Sequence, residues 1–241
     1  MIAEPYHLFQ DCRSTVLQWN GTDNHETFEY NINNLDKRNQ LEKNGWLDPN
    51  CISYSFNSRG FRDDEFTKEE SILALGCSFT QGMGVDLENT WPRLLSNTMS
   101  MRVWNLGIGG SSADTAYRMA EYWLDHLNVK YVTMLVPDID RFEICWWPGQ
   151  IKVIRHTEND TLNISTYKKI YWSNEENGKI NRNKNLWAIK QLCTEKQISF
   201  RYQFKDRWDN IDYGRDLQHW GRRSNKVIAE KMYNSLTARL L

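Results

Sequence analysis

The chain has 241 residues, which is enough for one large domain with a buried core or for two small domains. Its 30 basic and 31 acidic side chains give a formal net charge of -1, so overall charge offers no argument for binding nucleic acid or an acidic membrane. Apolar residues make up 40% of the chain and charged residues 25%, proportions that exclude a largely disordered protein.

The sequence predicts neither a membrane span nor a secretory signal. Its longest apolar runs, such as residues 72–75 and 132–136, are far shorter than the roughly 20 residues that cross a bilayer. The start of the chain contains Glu4 and His7 and lacks the basic and apolar regions of a signal peptide. We therefore expect a cytoplasmic protein that binds no membrane, or a mature protein that is exported by another route.

No metal or cofactor is expected. The five cysteines are widely spaced and contain no C-x-x-C pair, which is typical of neither a disulfide framework nor a zinc site. His126 and His156 have no carboxylate or cysteine partner at ligand spacing. The glycines of residues 107–112 match neither nucleotide-binding fingerprint. Asn20-Gly21-Thr22 matches the N-glycosylation pattern, which we attribute to chance because no secretory signal is present.

In chain order, the first predicted unit is a polar, asparagine-rich arm. Residues 1–67 show little periodicity and many turn-forming residues, so we expect an irregular arm packed on a domain of residues 68–241. Residues 71–76 are an apolar run that ends in glycine, and they predict the first buried strand. Residues 145–177 fit neither a strand nor a helix pattern and are interpreted as an insertion.

Strands and helices alternate after the first strand. Further strands are predicted at residues 101–106, 131–136 and 198–204, and helices at residues 90–99, 113–127, 183–197 and 222–240. This alternation predicts a parallel sheet with helices on both faces. Ligands of such sheets bind beyond the carboxyl ends of the strands, so the loops at those ends are the place to look for chemistry.

Those loops contain the groups that nucleophilic acyl transfer requires: a hydroxyl, a base, an acid that orients the base, and donors for the oxyanion. Ser78 follows the first strand and is the candidate nucleophile. His219 is the candidate general base, and Asp216, three residues earlier, could hold its imidazole. The backbone N–H groups of Ser78 and Gly110 are the candidate oxyanion donors.

Each of these signals alone also has an ordinary explanation. A serine after a strand is more often a helix cap, and an Asp-x-x-His sequence is more often a surface ion pair. Cys77 invites a thiol mechanism, but beside a buried strand it is more often an inert core residue. The order in which the signals occur distinguishes them from chance.

That order resembles the SGNH (GDSL-like) hydrolase superfamily over about residues 57–237. The similar segments are Gly76-Cys-Ser-Phe-Thr80, Asn105-Leu-Gly-Ile-Gly-Gly-Ser-Ser112 and Asp216-Leu-Gln-His219. The resemblance implies a flavodoxin-like three-layer α/β/α sandwich with a central parallel sheet, and a serine esterase or acyl hydrolase that needs no cofactor. The Gly-Cys-Ser-Phe-Thr form is similar to bacteriophage and bacterial members.

The resemblance assigns a role to each candidate residue. It makes Ser78 the nucleophile, Asp216 and His219 the other triad members, and Gly110 an oxyanion donor through its N–H. The expected substrate is a small-molecule or carbohydrate ester carrying a small acyl group, for example acetyl on a sugar, with lipid and thioester substrates as further candidates. Nucleic acid is not an expected partner, and the sequence predicts no particular oligomeric state.

One block departs from the superfamily pattern. Where the family usually has Gly-x-Asn-Asp, with the asparagine donating to the oxyanion, this chain has Asp138. An ionised carboxylate cannot donate and would repel the oxyanion, and loss of one donor can cost about 100- to 1,000-fold in rate. Arg141 or the Ser111 hydroxyl is the candidate replacement. The departure motivates a different function: a catalytically weak or inactive binding or structural module of the same fold that recognises a glycan. A viral member could use such a module in a virus particle.

The predicted substrate pocket includes Asp138, Arg141, Trp146 and Trp147. The two tryptophans have two interpretations, because large aromatic side chains are buried in most folds. They either form a stacking wall for a sugar or acyl group, or they cover the edge of the sheet.

Overall fold

The computed structural model describes residues 9–147, 150–155 and 174–238, together with the single residues 5, 7 and 171. The side chains of residues 145–147, 150–155 and 207 are outside that description. The strands are β1 (Val16–Leu17), β2 (Tyr54–Ser55), β3 (Ser71–Gly76), β4 (Arg102–Gly107), β5 (Val129–Leu135), β6 (Arg141–Trp147), β7 (Gln150–Arg155) and β8 (Ser199–Gln203). The helices are α1 (His25–Asn33), α2 (Leu35–Asn44), α3 (Ser78–Gln81), α4 (Trp91–Met99), α5 (Ala113–His126), α6 (Glu175–Glu195) and α7 (Arg222–Thr237).

The centre of the fold is a four-stranded sheet in the order β4-β3-β5-β8, with every pair parallel. The first strand of this sheet lies in the second position, as in flavodoxin-like doubly wound sheets. Because successive side chains of a strand face opposite sides, β3 contributes to two cores. Leu73 and Leu75 pack under α5 and α6, and Ile72 and Ala74 pack under α4 and α7. The predicted three-layer α/β/α class is confirmed.

The predicted strands and helices agree with the observed ones to within a few residues, except that α6 begins at Glu175 rather than at residue 183. Its start is set by Asn174, whose side chain accepts a hydrogen bond from the Glu176 N–H. Gly178 interrupts the helical pattern, and it is required because a Cβ there would lie 2.3 Å from the Ile139 carbonyl oxygen. Because packing requires a glycine at position 178, the sequence pattern does not indicate the first two turns of α6.

The amino-terminal segment is not irregular, because α1 and α2 lie within it. Each helix begins after an asparagine, Asn24 or Asn34, whose side chain accepts a hydrogen bond from a backbone N–H of the first turn. Both helices are mostly polar, and few of their apolar side chains are buried, so no periodicity reveals them. The segment shares a hydrophobic cluster with two residues that follow Ser78 in the chain. The cluster contains Phe28, Leu41, Trp46, Ile52, Tyr54, Phe56, Met83 and Val85.

The insertion predicted at residues 145–177 overlaps an antiparallel hairpin of β6 and β7, which already begins at Arg141. Residues 156–170, 172 and 173, which belong to the same prediction, lie outside the described residues, as do Leu240 of the predicted last helix and His156. Among the residues that the structure describes, no helix is both long and apolar enough to cross a membrane. The boundary at residue 67 stays a prediction.

Candidate active site

Ser78 lies at the point where β3 ends and α3 begins. Gly76 permits this turn, since at its φ of +152° a Cβ would lie 2.1 Å from Thr80 Oγ1 and 2.8 Å from the Leu135 carbonyl oxygen. Cys77 precedes the helix with extended backbone, and its side chain is completely buried. Ser78 is 6% exposed at the carboxyl edge of the sheet.

The loop that follows α3 is held by a buried arginine. The Arg62 guanidinium donates to the carbonyl groups of Gly82 and Val85, at 2.7 Å for Val85, and to that of Ser53 at 3.1 Å. Since Arg62 comes from the segment before β3, it ties the residues behind the serine to the amino-terminal part of the chain.

The second loop approaches Ser78 after β4. The Gly76 carbonyl accepts hydrogen bonds from the Ile108 N–H at 3.1 Å and from the Ser111 hydroxyl at 3.2 Å. Gly107 allows the close approach, because a Cβ there would lie 2.3 Å from the Gln81 nitrogen. These bonds bring Gly110, whose φ is +77°, into the same pocket wall as Ser78.

The third loop lies before α7 and carries Asp216 and His219. An isolated bridge between Tyr213 and Trp220 closes it, and the Gly214 N–H donates to the His219 carbonyl at 2.8 Å. Asp216 Oδ1 accepts the N–H groups of Gln218 and His219, each at 3.0 Å. The loop therefore folds around the side chain of Asp216.

Ser78, His219 and Asp216, which the sequence predicts to act together, form a continuous hydrogen-bonded chain. Ser78 Oγ lies 2.8 Å from His219 Nε2, and His219 Nδ1 lies 2.6 Å from Asp216 Oδ2. An ionised carboxylate only accepts, so the Nδ1 proton belongs to the imidazole and Nε2 is free to accept the serine proton. The imidazole also packs on the Phe79 ring, with the ring centroids 4.8 Å apart.

The Asp216 carboxylate is buried yet remains charged. Burial alone raises its pKa, but its hydrogen bonds and its proximity to His219 outweigh this effect and lower the pKa to about 2. The donors are the His219 side chain, the Thr22 hydroxyl and the His219 N–H. A fixed negative charge behind the imidazole can stabilise an imidazolium that forms during a reaction.

A pocket of about 410 Å³ opens over Ser78 and His219. Its wall combines glycine backbone with polar and apolar side chains, so it can accommodate a substrate with a small apolar part and a polar part. The lining residues are Phe9, Gly21, Thr22, Ser78, Met83, Gly109, Gly110, Arg141, Gln218 and His219. Arg141 lines this pocket, and its contact with a substrate stays a prediction.

Of the other predicted pocket residues, Asp138 is the one whose side chain the structure describes. Asp138 is absent from this wall and pairs with Arg141 at 3.2 Å and with Lys205 at 2.5 Å. The Ser111 hydroxyl is buried and donates to Gly76, so this structure does not offer it to an oxyanion. The side chains of Trp146 and Trp147 lie outside the described part of the chain.

The amino-terminal segment contributes residues to the site that no sequence motif marks. Thr22 Oγ1 donates to Asp216 Oδ2 at 2.6 Å, and Phe9 and Gly21 line the pocket. Next to Asp216, Arg215 forms a fully buried ion pair with Asp23 at 2.8 Å. The available signal was Gly21, because glycine is the residue that a two-residue hairpin turn favours at its first central position.

Comparison with solved structures finds partial similarity of fold. A member of the lipolytic protein G-D-S-L family from Veillonella parvula DSM 2008 matches with 14% identity over 70% of this chain and 98% of its own, at a TM-score of 0.36. The psychrotrophic esterase EstA from Pseudoalteromonas sp. matches with 15% identity over 70% and 98%, at a TM-score of 0.41.

An acetyl xylan esterase, Est2A, from the rumen bacterium Butyrivibrio proteoclasticus matches with 10% identity over 74% of this chain and 65% of its own, at a TM-score of 0.41. No protein-family model and no curated protein matches the chain. At such scores the similarity assigns no chemistry, which depends on the geometry of the site itself.

Proposed function

We propose that the protein is a serine hydrolase that cleaves an ester through Ser78, His219 and Asp216. The observation that supports this most directly is the hydrogen-bonded chain from Ser78 Oγ through His219 to Asp216, with separations of 2.8 Å and 2.6 Å. A buried, ionised aspartate behind a histidine that faces an accessible pocket is the arrangement that activates a serine hydroxyl.

In the proposed reaction, Ser78 Oγ attacks the ester carbonyl carbon while His219 Nε2 takes the hydroxyl proton. The tetrahedral intermediate collapses, the bond to the alcohol oxygen breaks, and His219 returns the proton to the departing alcohol. Water then attacks the acyl-serine, with His219 again accepting the proton, and the acid leaves as Ser78 is restored. The N–H groups of Ser78 and Gly110 are the donors that we assign to the oxyanion.

We assign an ester with a small acyl group as the substrate class, and a carbohydrate as its alcohol component. The pocket volume of about 410 Å³ is compatible with an acetyl group and part of a sugar ring. Arg141 and Gln218 supply polar groups at its wall that suit a hydroxyl-rich alcohol.

The proposal predicts that the wild-type protein hydrolyses p-nitrophenyl acetate faster than the butyrate ester and releases acetate from an acetylated xylo-oligosaccharide. A fluorophosphonate should inactivate it irreversibly, because only an activated serine attacks that reagent readily. The matched control is Cys77→Ala, which removes the neighbouring buried thiol and should keep both hydrolysis and labelling.

A folded wild-type protein, verified by circular dichroism, that neither hydrolyses these esters nor reacts with the fluorophosphonate would contradict the proposal. It would favour the alternative of a glycan-binding module. The observation behind that alternative is that Asp138, in place of an amide donor, is paired with Arg141 and Lys205.

A further inference from the structure

A tight turn of the amino-terminal segment reaches the site. Its ends are joined by two backbone hydrogen bonds, from Asn20 N–H to the Asp23 carbonyl at 2.8 Å and from Asp23 N–H to the Asn20 carbonyl at 3.0 Å. Gly21 occupies the first central position with a φ of +56°, which glycine adopts readily. The second central position is Thr22.

The turn is anchored close to Asp216, the residue that Thr22 contacts. Asp23 forms the buried ion pair with Arg215, the neighbour of Asp216 in the chain. The Tyr54 hydroxyl donates to the same carboxylate at 2.5 Å. Because the anchor is completely buried, Thr22 has little freedom to move away from the Asp216 carboxylate.

The hydroxyl of Thr22 has one consistent orientation. Its Oγ1 lies 2.6 Å from Asp216 Oδ2 and 3.4 Å from His219 Nδ1. The carboxylate can only accept, so the hydroxyl hydrogen points to Asp216 and an oxygen lone pair faces Nδ1. Both neighbours of Nδ1 are then acceptors, which favours the tautomer that carries its proton on Nδ1.

The hydrogen bond from Thr22 is the fourth that the Asp216 carboxylate accepts. Its Oδ1 already accepts two backbone N–H groups, and its Oδ2 accepts from His219 Nδ1 and from Thr22. With two donors on each oxygen, the carboxylate cannot rotate without breaking hydrogen bonds. The Thr22 bond also contributes to the low pKa of Asp216.

We infer that Thr22 is a positioning residue, which orients Asp216 and the His219 tautomer from a segment outside the central α/β sandwich. The inference rests on the proposed function, because the orientation matters only if His219 transfers a proton. Thr22 acts through Asp216 and His219 rather than on the ester carbonyl. Its loss should therefore lower kcat and leave KM nearly unchanged.

The test compares Thr22→Val, Thr22→Ser and the control Thr15→Val. Thr15 lies in the same segment and donates a hydrogen bond of the same length, 2.6 Å, to the Cys12 carbonyl, away from the pocket. We expect kcat for p-nitrophenyl acetate to fall about 10-fold in Thr22→Val, with KM changed less than about 2-fold. Thr22→Ser, which keeps the hydroxyl, and Thr15→Val should resemble the wild type.

Proton NMR of histidine-labelled protein provides a readout that needs no substrate. His219 Nδ1 lies 2.6 Å from Asp216 Oδ2, so the proton that it carries in this short hydrogen bond should resonate far downfield of the amides. The resonance should shift or broaden in Thr22→Val and remain in Thr22→Ser. Thr22→Ala repeats the test if valine disturbs the turn.

Unchanged kcat and an unchanged resonance in a folded Thr22→Val protein would overturn the inference. If the wild-type protein hydrolyses no ester and the His219 resonance still changes in Thr22→Val, the positioning role is supported and the hydrolase function is contradicted. The two failures are therefore distinguishable.

Discussion

Replacing Ser78 by alanine is expected to lower kcat for ester hydrolysis by about 10⁴- to 10⁶-fold, and adding His219→Ala should lower it no further. The reason is that the two residues act as one unit. His219 Nε2 lies 2.8 Å from Ser78 Oγ, and without that hydroxyl the imidazole has no proton to remove. Any activity left in the double variant would come from binding and from backbone donors.

The measurement is steady-state hydrolysis of p-nitrophenyl acetate by both single variants and the double variant. His126→Ala is the matched control, because His126 stacks on Tyr122 on a helix away from the pocket, and it should keep wild-type kcat. Rate losses that multiply in the double variant would mean that the two residues act independently, which contradicts the proposed mechanism.

Replacing Asp23 by alanine is expected to lower the free energy of unfolding by about 3–5 kcal/mol. Its partner Arg215 is completely buried, and the variant would leave the guanidinium charge without a carboxylate. Among the described residues, the Arg215 side chain would keep its bonds to the carbonyl groups of Gln18 and Pro49 and its contact with the Trp19 ring. Neutral acceptors do not compensate for a lost counter-charge.

Urea unfolding followed by circular dichroism measures this effect. Glu70→Ala is the control, since it removes an ion pair with Lys130 in which both side chains are about half exposed, and the expected change is less than about 1 kcal/mol. The double variant Asp23→Ala/Arg215→Met should regain part of the lost stability. If Asp23→Ala lowers the free energy of unfolding by less than about 1 kcal/mol, the prediction is wrong and water reaches the ion pair.

The central sheet was predictable because its signals are local. Residues 71–76 read as an apolar run closed by a glycine, and β3 has the same bounds. The helices α1 and α2 were not predictable, because they are polar and their stability comes from asparagine caps and from burial of a few residues such as Phe28 and Leu41. Such contacts are made with distant parts of the chain and leave no periodic pattern.

Three members of the candidate site could be predicted, and a fourth could not. Ser78 is marked by the strand that precedes it, and Asp216 and His219 by their spacing of three residues. Thr22 lies 194 residues from Asp216 in sequence, so no local pattern connects the two. The match of Asn20-Gly21-Thr22 to the glycosylation pattern, which we attribute to chance, gives no indication of the tight turn that places Thr22 beside Asp216. The catalytic roles of all these residues stay predictions.

The most direct test of the account is to trap the acyl-enzyme. The protein is mixed with p-nitrophenyl acetate, quenched in acid during turnover, digested, and analysed by fragmentation mass spectrometry, which separates Ser78 from its neighbour Cys77. The account predicts an acetyl group on Ser78 that accumulates within the first turnover and is absent from Ser78→Ala. Ester hydrolysis with the acetyl group on Cys77, or with none on Ser78, would contradict it.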